Sequence, residues 1–316
     1  MIQVINLKTM REDAPPSFSV LCLGNFDGVH LGHRALAMET LRQKEALASS
    51  YVGIASGAWL FDTPPSHFLS CKPVPQLTTL EEKLEHFARI GLDYAFLADF
   101  SELKGLESTE FVERVLKKEC HCVYTVCGYN FRFAKNAMGD AEALVDLMGG
   151  MGRVLDCVTL DGKAISSSAI RAQLASGNAE EASRMLGYPF ALSSTVLHGK
   201  ALGKKIGVPT INQHFSCGAM RLMDGVYISR TQIDGKSFPS VSNIGHRPTF
   251  DDGDAVNCET HIIGYEGDLY DRPLRVEFFK RLRSEVRFPS VEALGEQLKA
   301  DISAAKQYFE DQRRQI

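Results

Sequence analysis

Two imidazoles stand three positions apart behind a glycine-rich turn in Gly24-Asn25-Phe26-Asp27-Gly28-Val29-His30-Leu31-Gly32-His33. The stretch follows the apolar run Phe18 to Leu23 and precedes an amphipathic segment from Arg34 to Ala48, the pattern of a strand-to-helix turn. The first turn of a helix carries unpaired backbone N–H groups and the positive end of the macrodipole, so it receives an anion. Gly24, Gly28 and Gly32 let the chain turn tightly and let a phosphate come close. On a helix His30 and His33 share one face, and both can donate to a polyphosphate. Gly24, Asn25, Phe26, Asp27 and Gly28 are the candidate ligand contacts beside them.

Two more stretches suit phosphate. In Ile165-Ser166-Ser167-Ser168-Ala169-Ile170-Arg171, Ser167 or Ser168 caps a helix and Arg171 falls in its first turn, which makes a phosphate clamp. In Gly199-Lys200-Ala201-Leu202-Gly203-Lys204-Lys205-Ile206-Gly207, glycines spaced by four alternate with lysines, and Pro209-Thr210-Ile211-Asn212 follows. Amides and ammonium groups of such a loop receive phosphates, although a basic surface hairpin has the same composition. Further on, strand alternation puts Glu259 and His261 on one face and Cys258, Thr260 and Ile262 on the other.

The elements that must position these residues change character along the chain. Up to about Gly187, short apolar runs (Ile2 to Ile5, Phe18 to Leu23, Tyr51 to Ala55, Tyr94 to Ala98, Cys122 to Cys127, Arg153 to Val158) alternate with helical periodicity. One helix begins at Thr79, which forms a capping box with Glu82, and stops before Gly91; another covers Ser108 to Lys118. The alternation predicts a doubly wound parallel sheet whose ligand crevice opens at the carboxyl ends of the strands. After Gly187 strands follow one another (Phe190 to Leu197, Val226 to Ile233, Ser240 to Ile244, Cys258 to Ile263, Leu274 to Leu282), which predicts a small antiparallel barrel or sandwich. A closing helix from Ser290 carries Val291, Leu294, Leu298, Ile302, Ala305 and Phe309 in one stripe and should cover the barrel's side. Domains over 1–187 and 188–316 are expected.

The chain of 316 residues, 44% hydrophobic and 23% charged with net charge −4, reads as an ordinary globular protein. Its charge gives no field that favours nucleic acid, and no apolar run reaches membrane length. Eight scattered cysteines without a C-x-x-C pair, and no charged-then-apolar leader, point to a reducing cytoplasm. Metal binding by Cys120, His121 and Cys122 is disfavoured against strand packing, because neighbouring strand residues face opposite ways. Homo-oligomerisation stays open.

The decapeptide with its H-x-G-H resembles the adenylyltransferase half of the bacterial bifunctional riboflavin kinase/FMN adenylyltransferases. The likeness continues through Leu77-Thr78-Thr79-Leu80-Glu81-Glu82-Lys83, Gly128-Tyr129-Asn130-Phe131-Arg132-Phe133 and the serine-rich segment. The second domain resembles the kinase half in its glycine and lysine loop, in Pro209-Thr210-Ile211-Asn212, and in the segments from Gly225, Asn243 and Asp268. The resemblance implies a Rossmann-like nucleotidyltransferase domain and a riboflavin kinase barrel. It implies two reactions: riboflavin and ATP give FMN, then FMN and ATP give FAD and pyrophosphate. His30, His33 and Arg171 would neutralise the leaving pyrophosphate, and Asn130, Ser167 and Ser168 would contact flavin or ATP. Gly199, Lys200, Gly203, Lys204 and Gly207 would hold the kinase's ATP, and Thr210 and Asn212 would hold Mg²⁺ or Mn²⁺. Glu259 would accept the riboflavin hydroxyl proton, and Arg283 with Phe288 would close over flavin. Small molecules are then the partners, with no nucleic acid and no membrane. The sequence departs from the family at Phe61-Asp62-Thr63-Pro64-Pro65, where the family has F-x-P-H-P, at Ala134, at Ile211 and at Asp271. Two alternatives stand beside this reading: a riboflavin kinase whose adenylyltransferase domain has degenerated, and a non-catalytic flavin-binding sensor.

Overall fold

The computed structural model describes residues 2–9, 14–69, 73–199, 207–246 and 256–314. The chain forms two compact units, Met1–Ser167 and Ser168–Ile316.

In the first unit, strands β1 (Gln3–Asn6), β2 (Phe18–Leu23), β3 (Ile54–Phe61), β4 (Tyr94–Ala98), β5 (Cys122–Gly128) and β6 (Gly152–Leu155) pair in the order β1-β4-β3-β2-β5-β6. Every pairing is parallel. Strand β2 is buried on both faces, which is why Phe18 to Leu23 reads as a continuous apolar run. Helices α1 (Leu31–Leu47) and α2 (Leu80–Ile90) supply Leu36, Ala37 and Phe87 to the core on one face. On the other face, α3 (Phe111–Glu119) and α4 (Ala141–Leu147) bury Phe111, Leu116 and Leu144 against Trp59 and Leu23. The strand order reverses between β2 and β5, so the decapeptide after β2 lies at the switch point, where such sheets bind ligands.

Thr79 and Glu82 form the expected capping box, and Gly91 ends α2 in a left-handed conformation (φ 102°). The third strand differs from the expectation. It occupies Ile54–Phe61 rather than Tyr51 to Ala55, because Gly53 (φ 79°) completes a turn first. Gly57 breaks the apolar run in sequence, yet a Cβ there would stand 2.9 Å from the Leu21 side chain and 3.1 Å from the Tyr94 carbonyl.

In the second unit, β7 (Ala191–Thr195), β8 (Ile211–His214), β9 (Gly225–Ile233), β10 (Lys236–His246), β11 (Val256–Ile262) and β12 (Pro273–Arg283) pair antiparallel in the order β7-β12-β9-β10-β11-β8. A bridge from Leu197 to Asn212 joins the two edges, so the sheet nearly closes into a barrel. Its interior is partly polar: hydroxyls of Ser229, Ser242 and Thr260 form a chain with spacings of 2.7 and 2.8 Å. Helices α5 (Ser167–Ala175) and α6 (Ala179–Leu186), which the sequence placed before the domain boundary, group with the barrel from Ser168 onward. The Met223 amide donates to Leu174 O at 3.0 Å, and the Phe190 amide donates to Ser183 Oγ at 3.4 Å. The last helix, α7 (Val291–Arg314), buries Ala305 and packs Ile302, Tyr308 and Phe309 against Val226, Ile228 and Val241.

Candidate active sites

The first site is built around a strained turn. Phe26 (φ 50°) and Val29 (φ 32°) are left-handed without being glycine, a conformation held only where surroundings enforce it. Asp27 Oδ1 accepts the amides of Leu77 at 2.8 Å and Thr78 at 3.3 Å, and the Gly28 amide donates to Thr78 Oγ1 at 3.0 Å. Ser167 Oγ donates to Asp27 O at 2.8 Å, and Lys83 Nζ donates to Asn25 O at 3.1 Å. Phe26 is fully buried and meets Phe87 and His33 edge-on at 5.0 and 5.2 Å. The side chains of Phe26 and Asp27, expected at a ligand, therefore hold the turn, while Asn25 is exposed.

His30 is the N-cap of α1, and its Nδ1 accepts the His33 amide at 3.3 Å. Its ring stacks on that of His33 with centroids 3.6 Å apart and planes 18° from parallel. Gly32 between them leaves the ring room: a Cβ there would crowd His30 Cε1 at 3.1 Å. Burial lowers His30 to about 4, and burial, then His30 and Lys83, hold His33 well below the ordinary imidazole range. Asn130 is exposed in the turn after β5, at the same end of the sheet. Ser168 and Arg171 lie beyond the unit division on α5, where Arg171 Nη2 stands 3.5 Å from Ser168 Oγ. Cys120 and Cys122 are packed in the core, whereas the exposed His121 ring meets Pro16 O at 2.9 Å.

The second site is a cavity of about 640 Å³ between one face of the barrel and α7. Strand register lines up Asn212, Glu259, Asn243, Val226 and Arg283 from neighbouring strands β8, β11, β10, β9 and β12. Glu259 and His261 face the cavity while Cys258 and Thr260 are fully buried, as the alternation required. Thr210, Arg283 and Phe288 line the same cavity. Asn257 Nδ2 donates to Glu259 Oε1 at 3.1 Å, and the buried Asn257 Oδ1 and Asn243 Oδ1 lack a hydrogen-bond partner among the described residues. A Cβ on Gly199 would overlap the Asn212 amide, so glycine permits that contact. Gly207 (φ 74°) is in a left-handed turn, and Lys200, Gly203 and Lys204 lie outside the described residues.

Arg283 is fixed by a carboxylate that sequence reasoning passed over. Asp301, on α7 with 4% of its side chain exposed, accepts Arg283 Nη2 at 2.8 Å and Nε at 3.2 Å. Gln297 also donates to Asp301 at 2.9 Å, and the guanidinium lies 5.6 Å from the Phe288 ring centre. The signal was present: Asp301 falls three residues after Leu298, inside the apolar stripe. The first half of that stripe (Val291, Leu294, Leu298) lines the cavity, and the second half packs on the barrel.

Comparison with known proteins agrees with this division. Residues 13–169 match the FAD synthetase family and residues 186–309 the riboflavin kinase family. A bifunctional riboflavin kinase/FMN adenylyltransferase from Pseudomonas fluorescens is 35% identical over 91% of this chain and 92% of its own. The Escherichia coli K12 protein of the same description is 34% identical, with 94% of each chain covered. A solved structure described as a macrolide-efflux protein from Streptococcus pneumoniae superposes with a TM-score of 0.86 at 26% identity, covering 96% of this chain and 99% of that one. No described helix here is long and apolar enough to cross a membrane. With two relatives above 30% identity matched across nearly their whole length, this chain belongs to the family of bifunctional riboflavin kinase/FMN adenylyltransferases.

Proposed function

We propose that the chain makes FAD from riboflavin in two ATP-dependent steps, one at each site. The observation that carries this reading is that each unit holds its own set of chemical groups: the histidine pair at the switch point of the parallel sheet, and the Glu259 row beside the barrel cavity.

In the barrel, Glu259 accepts the proton of the riboflavin 5′-hydroxyl as that oxygen attacks the γ-phosphorus of ATP, and ADP leaves. The apolar wall of Val226, Leu294 and Leu298 suits a flat aromatic ring system, and Arg283 with Phe288 closes one side. Gly199 and Gly207 flank the loop assigned to ATP. The donors of Thr210, Asn212 and Glu259 are oxygens, and the Asn257 amide, whose Oδ1 has no partner among the described residues, lies beside Asn212 and Glu259; this set fits a hard divalent cation. Mg²⁺ or Mn²⁺ held by Thr210 and Asn212 would offset the charge of the ATP phosphates.

In the first unit, a phosphate oxygen of FMN attacks the α-phosphorus of ATP and pyrophosphate leaves. Here the protein positions the reactants and offsets charge on the leaving group. His30 Nε2–H, His33 and the first amides of α1 are assigned to the pyrophosphate side, with Ser167 at the start of α5; Ser168 and Arg171 keep the phosphate-binding role that the resemblance implies. Gly24, Asn25 and Gly28 are assigned to the turn beside the ligand, and Asn130 is the polar contact from the end of β5. The kinase-only alternative rests on the missing histidine near Pro65; the intact turn around His30 favours the bifunctional form. Buried unpaired thiols at Cys22, Cys120, Cys122 and Cys258, together with the use of ATP, support work in a reducing cytoplasm.

Incubation with riboflavin, ATP and Mg²⁺, followed by chromatography of flavins, should show FMN rising first and FAD replacing it. FMN that accumulates with no FAD at long times confines activity to the barrel.

A further inference from the structure

The histidine pair brings hydrogen bonds to the first site but no standing charge. His30 Nδ1 accepts the His33 amide, so that nitrogen carries no proton and the ring is neutral, with its hydrogen on Nε2. His33 stacks on it at 3.6 Å, a contact in which two imidazolium rings would repel. A polyphosphate arriving at α1 therefore meets two neutral rings and a helix dipole equivalent to about half a charge.

One full cation is nonetheless built in beside them. Lys83, on α2, is only 5% exposed, and its Nζ donates to Asn25 O, its one hydrogen-bond partner among the described residues. An ammonium has three N–H donors, so two remain. Asp27 is the opposing charge that acts on it, but Asp27 Oδ1 already accepts two amides of the 77–78 loop. Keeping an ammonium this deeply buried costs stability unless something pairs with it, and burial lowers its pKa. Holding Asn25 O needs no charge, since a neutral amide would do it.

We propose that Lys83 is the standing cation of the adenylyl-transfer site and binds the ATP polyphosphate beside the first turn of α1. This rests on the reading that FMN is adenylylated in this unit. Among the described residues, the charged or titratable groups that act on or with the ammonium are Asp27 from the turn and His33 from α1.

The test compares Lys83→Met, Lys83→Gln and Lys83→Arg in the full chain, with KM for ATP and kcat measured for FMN to FAD, and riboflavin to FMN as the control. Loss of a charge-assisted contact predicts a KM for ATP raised about 10- to 100-fold in Lys83→Met and Lys83→Gln, with kcat less affected. Lys83→Arg should recover most of the affinity, and kinase activity should stay unchanged in all three. A Lys83→Gln enzyme with the wild-type KM for ATP would overturn the proposal, since glutamine can still hold the Asn25 carbonyl. If Lys83→Met loses both activities it has unfolded, and the contrast of glutamine with arginine decides. Wild-type enzyme that forms no FAD refutes the functional reading itself, an outcome distinct from variants that match an active wild type.

Discussion

Gly32 gives the H-x-G-H spacing a physical reason. The His30 ring folds back over the first turn of α1, where a Cβ at position 32 would crowd it at 3.1 Å. That placement has a consequence for stability against pH. The unfolded chain takes up the His30 proton near the ordinary value of 6.5, the folded chain only at about 4. A group whose folded form resists protonation contributes its full share above about pH 6.5 and loses it as pH falls toward 4. At about 1.4 kcal/mol per pH unit, the loss from His30 is on the order of 3 kcal/mol, and His33 shifts in the same direction. Urea midpoints followed by circular dichroism from pH 7.5 to 4.5 should fall more steeply for wild type than for His30→Asn, which keeps an acceptor for the capped amide. Equal slopes would show that the ring titrates normally. His30, His33, Glu259, Thr210 and Asn212, the residues proposed to carry the chemistry, could be singled out from their motifs. Asn243 and the burial of Lys83 were not, because their partners Glu285 and Asn25 lie far away in sequence, and Asn257 showed no signal although it bonds Glu259 two residues on.

At the scale of elements, α7 does two things with one apolar face: its first half walls the cavity and its second half seals the barrel. Asp301 stands where the two halves meet. Asp301→Asn leaves Arg283 without its buried counter-charge, so we expect the KM for riboflavin to rise about tenfold with a smaller change in kcat. The barrel unit should also lose about 3 kcal/mol of stability in urea. Asp301→Glu should recover part of both effects, and a variant with wild-type kinetics and stability would show the pair to be idle. Most elements were legible from periodicity, including the capping box of α2. Strand β8 was not, since four residues of mixed polarity give no period, although Asn212 lies on it. The stretch Ser108 to Lys118 was readable as helix, but its second part, α3, is wound more loosely, with the Cys120 amide reaching back five residues to Val115 O at 3.0 Å. Such winding leaves no trace in apolar spacing.

For the whole molecule, the change from alternating elements to consecutive strands near Gly187 announced two folds. The compact units part earlier, at Ser167 and Ser168, with Leu174 O and Ser183 Oγ accepting the amides of Met223 and Phe190, partners that a helical pattern could not disclose. Two sites on two units predict separable defects. Glu259→Ala should lower FMN formation roughly 10²-fold and spare FMN to FAD, and His30→Ala should do the reverse. An equimolar mixture of the two variants should convert riboflavin to FAD after a lag, as free FMN passes through solution. A mixture that makes none would mean that FMN must be handed over within one chain.

The lined-up residues Asn212, Glu259, Asn243, Val226 and Arg283 come from separate strands, and the last of them sits at the end of β12, which inserts between β7 and β9. A slip of one position on any strand would turn its contribution toward the buried hydroxyls inside. A growing polypeptide therefore stays inert as a kinase until β12 has emerged from the ribosome and paired between β7 and β9, and α7 behind it has brought Asp301 to Arg283.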